Sequence, residues 1–409
     1  MDNAFDVVVI GGGIAGASIG ALLAAGRSVA VLEREAHVGV HSTGRSAALF
    51  SEIYGNAAVR LLSRGSRDFL FSPPQGFTDV PLVHPRGVMW LARADQVERL
   101  REYAALPDVN VATRWLTAGE VRSICPIVRK DYVSAGLLEP AACDLDVSAI
   151  HHGYIKLLAA RGGRLYTQSG VTGLVFEDGI WRVECGDEIF SAPVIVNAAG
   201  AWADEIAALA GQPPIGLQPM RRTAVLIEAP EDPPSRDWPL VVDTDEQFYF
   251  KPDAGLLLIS PADETPSPPC DAQPEELDIA IAVSRIELAT TLQIQRVRSR
   301  WAGLRSFAPD RTPVVGFGDA KRSFFWMAGQ GGYGIQIAPA LARLAASLIE
   351  KGVPPDDLVD LGLQLDQLTP QRLHPAPTPA VQPERDGEHR LATPAPRAQK
   401  NVRTTSTTL

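Results

Sequence analysis

The sequence has few of the residues that build disulfide frameworks and metal centres. Only 4 of its 409 residues are cysteines and 7 are histidines. The cysteines are scattered, with no C-x-x-C pair: Cys125, Cys143, Cys185 and Cys270. The sequence therefore predicts neither a disulfide framework nor a metal site. Scattered thiols fit a reducing compartment, so the cytoplasm, or the periphery of the inner membrane, is the expected location.

Basic residues are also in the minority. The chain has 38 Lys and Arg against 48 Asp and Glu, which gives a formal net charge of −10. This balance argues against nucleic acid or an anionic membrane as the main partner. With 45% hydrophobic and 21% charged residues, the composition is that of an ordinary globular protein. Its length exceeds what one core usually supports and suggests two domains.

Long apolar runs are absent, with one exception. Residues 7–26 carry no charge, which raises the alternatives of a signal peptide or a membrane span. Asp2 and Asp6 stand before this run where a signal peptide has basic residues, and six of its residues are glycine. Both features argue against the two alternatives. We therefore expect no transmembrane segment.

This same run is the most informative motif of the chain. A short apolar strand, residues 7–10, is followed by a helix of small residues and by a second strand that ends at Glu33. Between the first strand and the helix stand three glycines in G-x-G-x-x-G spacing: Gly11, Gly13 and Gly16. Such glycines let the backbone turn tightly against a pyrophosphate at a helix N-terminus, and the acid accepts hydrogen bonds from ribose hydroxyls. The segment predicts a dinucleotide-binding βαβ unit.

Two later glycine turns favour FAD over NAD. One lies at Gly200 and the other, with Gly331, Gly332 and Gly334, precedes a helix of about four turns. A nicotinamide enzyme usually completes its Rossmann sheet within about 150 residues, whereas these turns lie far downstream. A helix N-terminus at the last turn would stabilise negative charge on a reduced flavin. The alternative is a loop-rich turn that only packs.

Between these segments the pattern changes to short strands separated by Pro, Asp and Gly turns, and a strand is predicted over residues 293–300. One architecture is therefore interrupted by another. We predict a discontinuous FAD-binding domain of residues 1–80, 145–215 and 306–365. The inserted substrate-binding domain comprises residues 81–144 and 216–305. The composition beyond residue 366 predicts a disordered C-terminal tail, residues 375–409.

Five segments carry a resemblance to a known family: GGGIAGAS, HSTGRSA, NAAGAWAD, GLRSFAPDRTPVVG and GQGGYGIQ. They resemble the D-amino-acid oxidase/dehydrogenase (DAO) superfamily of flavoproteins, which includes glycine oxidase and sarcosine oxidase. LEREAHVGVHSTGRSAA, GLQPMRR, FYFKPDAG and WAGLRSF are most similar to the D-arginine, or broad D-amino-acid, dehydrogenases. The resemblance spans about residues 5–373. It implies an α/β plus α+β fold, in which a Rossmann-type FAD-binding domain of a GR2-like flavoprotein carries an inserted mixed-sheet substrate domain.

The resemblance also implies which residues bind FAD, without a covalent bond. The loop 41–50 is rich in small polar residues and can lie along a flat ligand. The cofactor-binding residues expected from the motifs are Gly11, Gly13, Ile14, Ala15, Gly16, Glu33, Arg34, His41, Ser42, Thr43, Gly44, Arg45, Ser46, Ala47, Val171, Ala199, Gly200, Trp202, Gly303, Arg305, Gly331, Gly332, Tyr333, Gly334 and Ile335.

An amino-acid-oxidising flavoprotein must hold a carboxylate, and guanidinium groups do this best. The candidates are Arg221, Arg222 and Arg305. Arg221 and Arg222 are neighbours on a predicted strand, so their side chains face opposite ways and the period alone does not choose between them. The resemblance implies Arg222. The alternative for each arginine is an ion pair with an Asp or Glu of the protein.

Three more residues enter through the resemblance. Tyr54 and Tyr249 are implied to bring their hydroxyls near the substrate, and the backbone carbonyl of Gly332 to accept from its amine. The alternative for either tyrosine is a half-buried core ring. No Ser-His-Asp set or carboxylate pair is apparent, and hydride transfer needs neither.

The implied reaction moves a hydride from Cα to flavin N5 and gives an imino acid, which water hydrolyses to a 2-oxo acid and ammonia. Arginine-preferring relatives have polar or acidic groups where this chain has Leu49 and Val88. Since a cationic side chain is costly to bury without a carboxylate, we expect neutral, apolar D-amino acids as substrates. The expected electron acceptor is a quinone or O2. Three alternatives stay open: a glycine- or sarcosine-type oxidase, an NAD-dependent dehydrogenase, and a non-catalytic flavin-binding protein.

Overall fold

The computed structural model describes residues 3–374, so the tail predicted over residues 375–409 lies outside the described residues. The described chain contains these strands, in order: β1 Val7–Ile10, β2 Val29–Leu32, β3 Leu49–Phe50, β4 Val83–Pro85, β5 Val88–Ala92, β6 Arg114–Thr117, β7 Ala135–Glu139, β8 Cys143–Leu145, β9 Arg164–Tyr166, β10 Gly173–Glu177, β11 Ile180–Cys185, β12 Glu188–Ala192, β13 Val194–Asn197, β14 Gln218–Glu228, β15 Leu240–Asp243, β16 Tyr249–Asp253, β17 Leu256–Ser260, β18 Thr265–Pro266, β19 Val297–Phe307, β20 Val314–Phe317 and β21 Phe324–Ala328.

Helices connect and cover these strands. In chain order they are α1 Ile14–Leu23, α2 Ala57–Phe71, α3 Val97–Ala104, α4 Pro107–Ala112, α5 Ala118–Ile124, α6 Val147–Ala160, α7 Ala203–Leu209, α8 Glu276–Ala289, α9 Gly334–Glu350 and α10 Asp356–Asp360. Within the described range, none of them combines the length and the apolarity that crossing a bilayer requires.

The first sheet has six strands in the order β20-β21-β13-β1-β2-β9. All neighbouring pairs are parallel except β20 with β21. Side chains alternate between its two faces, as in β1, where Val7 and Val9 pack against helices α1, α2, α6 and α9. Val8 and Ile10 pack on the opposite face, against the antiparallel sheet β10-β11-β12 and α7. The sheet is thus the buried middle layer that a parallel sheet requires.

The second large sheet runs β18-β14-β17-β16-β15-β5-β7-β6, with β19 paired to β14. It is mixed, because β15 and β5 are parallel and the other neighbours are antiparallel. One face packs against α5 and α8 around Phe248, Phe250 and Ile259. The other face carries a separate apolar cluster that includes Val88, Trp90 and Tyr249.

The fold class predicted from the sequence is confirmed: a Rossmann-type parallel sheet stands beside a mixed sheet. Every strand of the six-stranded sheet falls in the segments assigned to the FAD-binding domain, and the boundaries of the two domains remain a prediction. The predicted strand 293–300 is wrong in its extent, because β19 runs from Val297 to Phe307 in a long pairing with β14. Residues 366–374 are folded, since Leu368 is fully buried and Arg372 pairs with Asp310.

Candidate active site

A cavity of about 490 Å³ lies at the carboxyl ends of the parallel strands. Its wall includes Gly11 after β1, Glu33 after β2, Ala198 after β13 and Gly329 after β21. Ligands of open α/β sheets bind at this edge, where the strand order reverses. Residues of β14, β16 and β19 close the cavity from the other sheet. Both sheets therefore contribute to one site.

The glycine turn after β1 is built by close backbone approach. Gly11 has φ +111°, and a Cβ there would lie 2.4 Å from the carbonyl oxygen of Ala198. A Cβ on Gly16 would lie 1.8 Å from the carbonyl oxygen of Gly11, so the first turn of α1 packs directly on this loop. The hydroxyl of Thr43 accepts a hydrogen bond from the amide of Ile14 at 3.0 Å, which ties the loop 41–47 to the start of the helix.

Glu33 is held in a fixed position at the end of β2. Its carboxylate is 8% exposed and accepts hydrogen bonds from the amides of Gly12 and Glu35, both at 2.9 Å. Each oxygen retains a lone pair for a further donor. A buried acceptor that faces the cavity at this point fits the ribose hydroxyls of an adenine dinucleotide.

An orphaned polar atom lies further along the same wall. The Nε2 atom of His41 is 3.0 Å from a carboxylate oxygen of Glu35, whereas its Nδ1 is buried and has no partner among the described residues. The His41 ring lies 4.8 Å from that of Trp202, and the guanidinium of Arg34 lies over the Trp202 indole at 4.9 Å. Flat rings and an unsatisfied polar atom fit the aromatic and polar groups of FAD.

The structure brings most of the predicted cofactor residues together. Those that line the cavity are Gly11, Gly13, Ile14, Ala15, Glu33, Arg34, His41, Ser42, Thr43, Arg45, Ser46, Ala47, Val171, Ala199, Gly200, Trp202, Gly303, Arg305, Gly331, Gly332, Gly334 and Ile335. Gly16, Gly44 and Tyr333 do not line it. The two glycines shape the turns instead, since a Cβ on Gly44 would lie 2.7 Å from the carbonyl oxygen of Gly39. Their role as cofactor contacts remains a prediction.

The wall also contains residues that the sequence analysis missed. They are chiefly Ser169, Gly170, Thr172, Glu205, Ser306 and Gln330. Ser169 and Gly170 follow β9, which pairs in parallel with β2, so the rule that ligands bind at carboxyl ends of parallel strands could have identified them. The hydroxyl of Ser306 is buried with no partner among residues 3–374, a second polar atom that a ligand could satisfy.

The pairing of β14 with β19 decides between the two neighbouring arginines. Arg222 lies opposite Gly303, so it projects from the same face as Arg305, two residues further along β19. Both line the cavity, together with Tyr249 of β16. Arg221 projects from the opposite face and pairs with Glu275 and, at 2.9 Å, with Asp278. The ion-pair alternative therefore holds for Arg221.

Arg305 lies within strand β19. Its guanidinium makes no hydrogen bond or ion pair with any residue of the described chain, and it contacts the backbone of the last glycine turn. A Cβ on Gly332 would lie 2.9 Å from the Cζ atom of Arg305, so the guanidinium packs directly on this glycine. A guanidinium without a protein partner is a cation available to a ligand carboxylate.

Arg222 differs, because it has a protein partner. It is 7% exposed, and its Nη2 donates to the carboxylate of Glu264 at 3.1 Å. Glu264 also accepts two hydrogen bonds from Arg311, at 2.8 and 3.1 Å. The Nε of Arg222 is buried and has no partner in the described chain. The Nη2 of Arg222 is thus in an ion pair with the protein, which was the alternative to binding a ligand, whereas its Nε has no partner in the described chain.

Tyrosines surround the two arginines. Tyr249 lines the cavity, 6.0 Å from the Arg222 guanidinium. Tyr54 lies outside the cavity wall and packs edge-on against Tyr333, with ring centres 5.0 Å apart. Burial raises the pKa of Tyr54 above its ordinary value, and the nearby charge of Glu246 adds to this while that of Arg305 opposes it. The hydroxyl of Tyr54 therefore stays protonated and can donate a hydrogen bond near the arginines.

Leu49 and Val88 belong to one apolar cluster. The cluster also contains Ile53, Trp90 and Tyr249, and Trp301 packs against it. Neither Leu49 nor Val88 lines the cavity itself, and Tyr249 is the member of their cluster that does.

A buried acid supports the segment that carries Tyr54. Glu139 is 2% exposed and accepts hydrogen bonds from the hydroxyl of Ser51 at 2.7 Å and the amide of Glu52 at 3.2 Å. No cation of residues 3–374 pairs with it. Burial raises the pKa of Glu139 to about 7, against 4.5 in an unperturbed chain. Folding therefore favours the protonated acid, and stability falls as pH rises from about 4.5 to about 7.

We predict that the substitution Glu139→Gln, which resembles the protonated acid, raises the free energy of unfolding more at pH 8 than at pH 5. The shift in pKa corresponds to about 3 kcal/mol at most. Unfolding by urea at the two pH values measures it. Glu98→Gln, at an exposed glutamate, is the control and should have the same small effect at both. Equal effects of Glu139→Gln at both pH values would contradict the prediction.

Comparisons with known proteins agree with this geometry. Residues 6–348 match the sequence profile of the DAO family, described as FAD dependent oxidoreductase. The glycine oxidase of Geobacillus kaustophilus is 25% identical over 381 residues, covering 89% of this chain and 97% of that protein. The mitochondrial dimethylglycine dehydrogenase of Rattus norvegicus is 24% identical and covers 87% of this chain, but this chain spans only 44% of that protein. The L-proline dehydrogenase structure from P. horikoshii superimposes with a TM-score of 0.79 at 23% identity, covering 91% and 99% of the two chains.

The match confirms the prediction of FAD as the cofactor and overturns the alternative of an NAD-dependent dehydrogenase. The cavity fits that cofactor, because it offers a glycine turn, a buried acid and unsatisfied polar atoms along one wall. The family predicted from the sequence is confirmed. These relatives are named as enzymes of glycine, dimethylglycine and proline. They therefore do not support the narrower resemblance to D-arginine dehydrogenases.

Proposed function

The chain belongs to the DAO family of FAD-dependent oxidoreductases, and on this premise we propose that it oxidises amino acids with neutral, apolar side chains at the carbon that bears the amine. The observation that carries the proposal is the guanidinium of Arg305, which stands in the cavity wall without a protein partner. The apolar cluster around Tyr249 supports the choice of side chain. FAD, when bound, supplies the acceptor for the hydride.

Each residue of the site has a part in this proposal. Arg305 binds the substrate carboxylate, and Arg222 adds a second donor from the same face of the sheet. The hydroxyl of Tyr249 donates to the carboxylate, and the carbonyl of Gly332 accepts from the amine. Tyr54, outside the cavity wall, acts by its hydroxyl near the arginines. These groups orient the Cα–H bond, and orientation is the main contribution that hydride transfer requires of the protein. The product is an imino acid, which water hydrolyses to a 2-oxo acid and ammonia.

We further propose the D enantiomer as the substrate, on the resemblance of the LEREAHVGVHSTGRSAA and GLQPMRR segments to D-amino-acid dehydrogenases. A second candidate is glycine or an N-methylated glycine, favoured by relatives that are named glycine oxidase and dimethylglycine dehydrogenase. Both candidates use the same carboxylate-binding arginines. They differ in whether a side chain occupies the apolar region.

The first experiment is anaerobic mixing of the purified protein with single amino acids while the flavin absorbance is followed. We expect bleaching by D-leucine, D-methionine or D-phenylalanine and not by their L forms, with D-arginine a poor substrate. Bleaching by glycine or sarcosine alone would favour the second candidate. A flavin that none of these compounds reduces would contradict the proposed reaction class. Peroxide formed in air distinguishes O2 from a quinone as the electron acceptor.

A further inference from the structure

The two arginines of the cavity differ in whether a protein carboxylate pairs with them. Arg305 has no ion-pair partner among the described residues, whereas Arg222 shares a carboxylate, Glu264, with Arg311. Glu264 follows β17, and its side chain is 31% exposed. Arg222, which it contacts, is almost wholly buried, so the negative charge of Glu264 acts where a ligand meets Arg222.

Glu264 is ionised at neutral pH. Burial alone would raise the pKa of its carboxyl, but the hydrogen bonds and charge of Arg311, with the charges of Arg222 and Arg305, outweigh this and hold the pKa below its usual range. Arg311 itself is 45% exposed and lies over the Phe307 ring at 3.8 Å. Water screens Arg311 more than it screens Arg222, so Arg311 offsets the field of Glu264 only in part.

We propose that Glu264 makes the carboxylate site select a zwitterion over a monoanion of the same carbon skeleton, so that a 2-oxo acid product is bound more weakly than the amino acid it comes from. The proposal rests on the proposed function, since it requires a ligand carboxylate at Arg222 and Arg305.

The physical basis is a difference in net ligand charge. An amino acid carries an ammonium group besides its carboxylate and is neutral overall, whereas its 2-oxo acid carries only the carboxylate. The negative charge of Glu264 repels the net charge of the oxo acid and has little net effect on the zwitterion. Without Glu264, neither Arg222 nor Arg305 would have an ion-pair partner in the described chain, and the two guanidinium groups would hold a monoanion more tightly. The carboxylate of Glu264 thereby limits inhibition by the product.

The test compares two variants of the flavin-loaded enzyme that change the local charge in opposite directions. Glu264→Gln removes the negative charge but keeps an oxygen acceptor for Arg222, and Arg311→Gln leaves Glu264 less compensated. The probe is 4-methyl-2-oxopentanoate, the 2-oxo acid of leucine, titrated against the flavin absorbance to give a Kd. The Kd of leucine itself comes from the rate of anaerobic flavin reduction.

We expect Glu264→Gln to bind the oxo acid about fivefold or more tightly, with the Kd of leucine within about twofold of wild type. Arg311→Gln is expected to bind the oxo acid more weakly. Glu276→Gln, at an exposed glutamate of α8 that pairs with Arg300, is the control and should change neither Kd.

A merely structural role for Glu264 predicts a different pattern. Disordering of Arg222 would weaken both ligands in both variants by similar factors, and that result would overturn the proposal. Equal tightening of the oxo acid and of leucine in Glu264→Gln would overturn it as well, because selectivity would be unchanged. If no carboxylate perturbs the wild-type flavin, the proposed carboxylate site fails, and the inference fails with it.

Discussion

Replacing Arg305 with methionine is expected to lower kcat/KM for the best amino acid by about 1000-fold. Methionine keeps much of the side-chain volume and removes the cation. Since Arg305 has no partner in the described chain, its loss leaves no protein carboxylate unpaired, and the effect falls on the ligand. A charged hydrogen bond to a desolvated carboxylate is worth about 4 kcal/mol, which corresponds to this factor. Steady-state kinetics with a saturating electron acceptor measure it.

Arg300→Met is the matched control, because Arg300 is on the same strand, β19, and pairs with Glu276 at the surface. We expect its kcat/KM to equal that of wild type within about twofold. Arg305→Lys should recover part of the activity, since lysine restores the charge but not the bidentate fork. Flavin content, read from the ratio of visible to protein absorbance, should remain unchanged in Arg305→Met. A variant that binds flavin and retains wild-type kcat/KM would show that the carboxylate binds elsewhere.

The contrast between Arg305 and Arg222 shows what the sequence alone could not supply. Alternation along a strand separates Arg221 from Arg222 but does not say which of them faces the ligand. Which arginine faces the ligand depends on the register of β14 with β19. It also depends on Asp278 of α8, which pairs with Arg221 on the other face of the sheet. Glu264, the partner of Arg222, lies 42 residues further along the chain, so no local pattern indicates this pairing. The sequence identified the residue types of the site and left their pairing open.

The nucleotide-binding half was more predictable, because its signals are local. Strand, glycine turn, helix and acid lie within about 30 consecutive residues, and each constrains the backbone of its neighbours. The structure has β1, α1 and β2 where the pattern predicted them, and Glu33 accepts from the amide of Gly12. The capping box of Thr117 and Glu120, which begins α5, is an equally local signal. The extent of β19 was missed because it depends on long-range pairing with β14.

The second large effect is expected from Gly16→Ala, although it adds only one methyl group. A Cβ at this position would lie 1.8 Å from the carbonyl oxygen of Gly11. Because that oxygen belongs to the backbone, no side-chain rotation can relieve the clash. Relief requires α1 to move away from the glycine turn, which disrupts the packing of a helix that is buried along nearly its whole length. We expect the free energy of unfolding to fall by about 3 kcal/mol or more, and the purified protein to lack flavin.

Gly26→Ala is the matched control, since a Cβ there would meet no atom within 4 Å. Its free energy of unfolding should stay within about 1 kcal/mol of wild type, with full flavin content. Flavin absorbance and urea unfolding, with and without added FAD, measure both variants. Because ligand binding stabilises only a protein that can bind it, added FAD should raise the stability of Gly26→Ala and not that of Gly16→Ala. Normal flavin content in Gly16→Ala would contradict this prediction, because it would mean that α1 can shift without loss of the site. The close contact with Gly11 would then not explain why position 16 is a glycine.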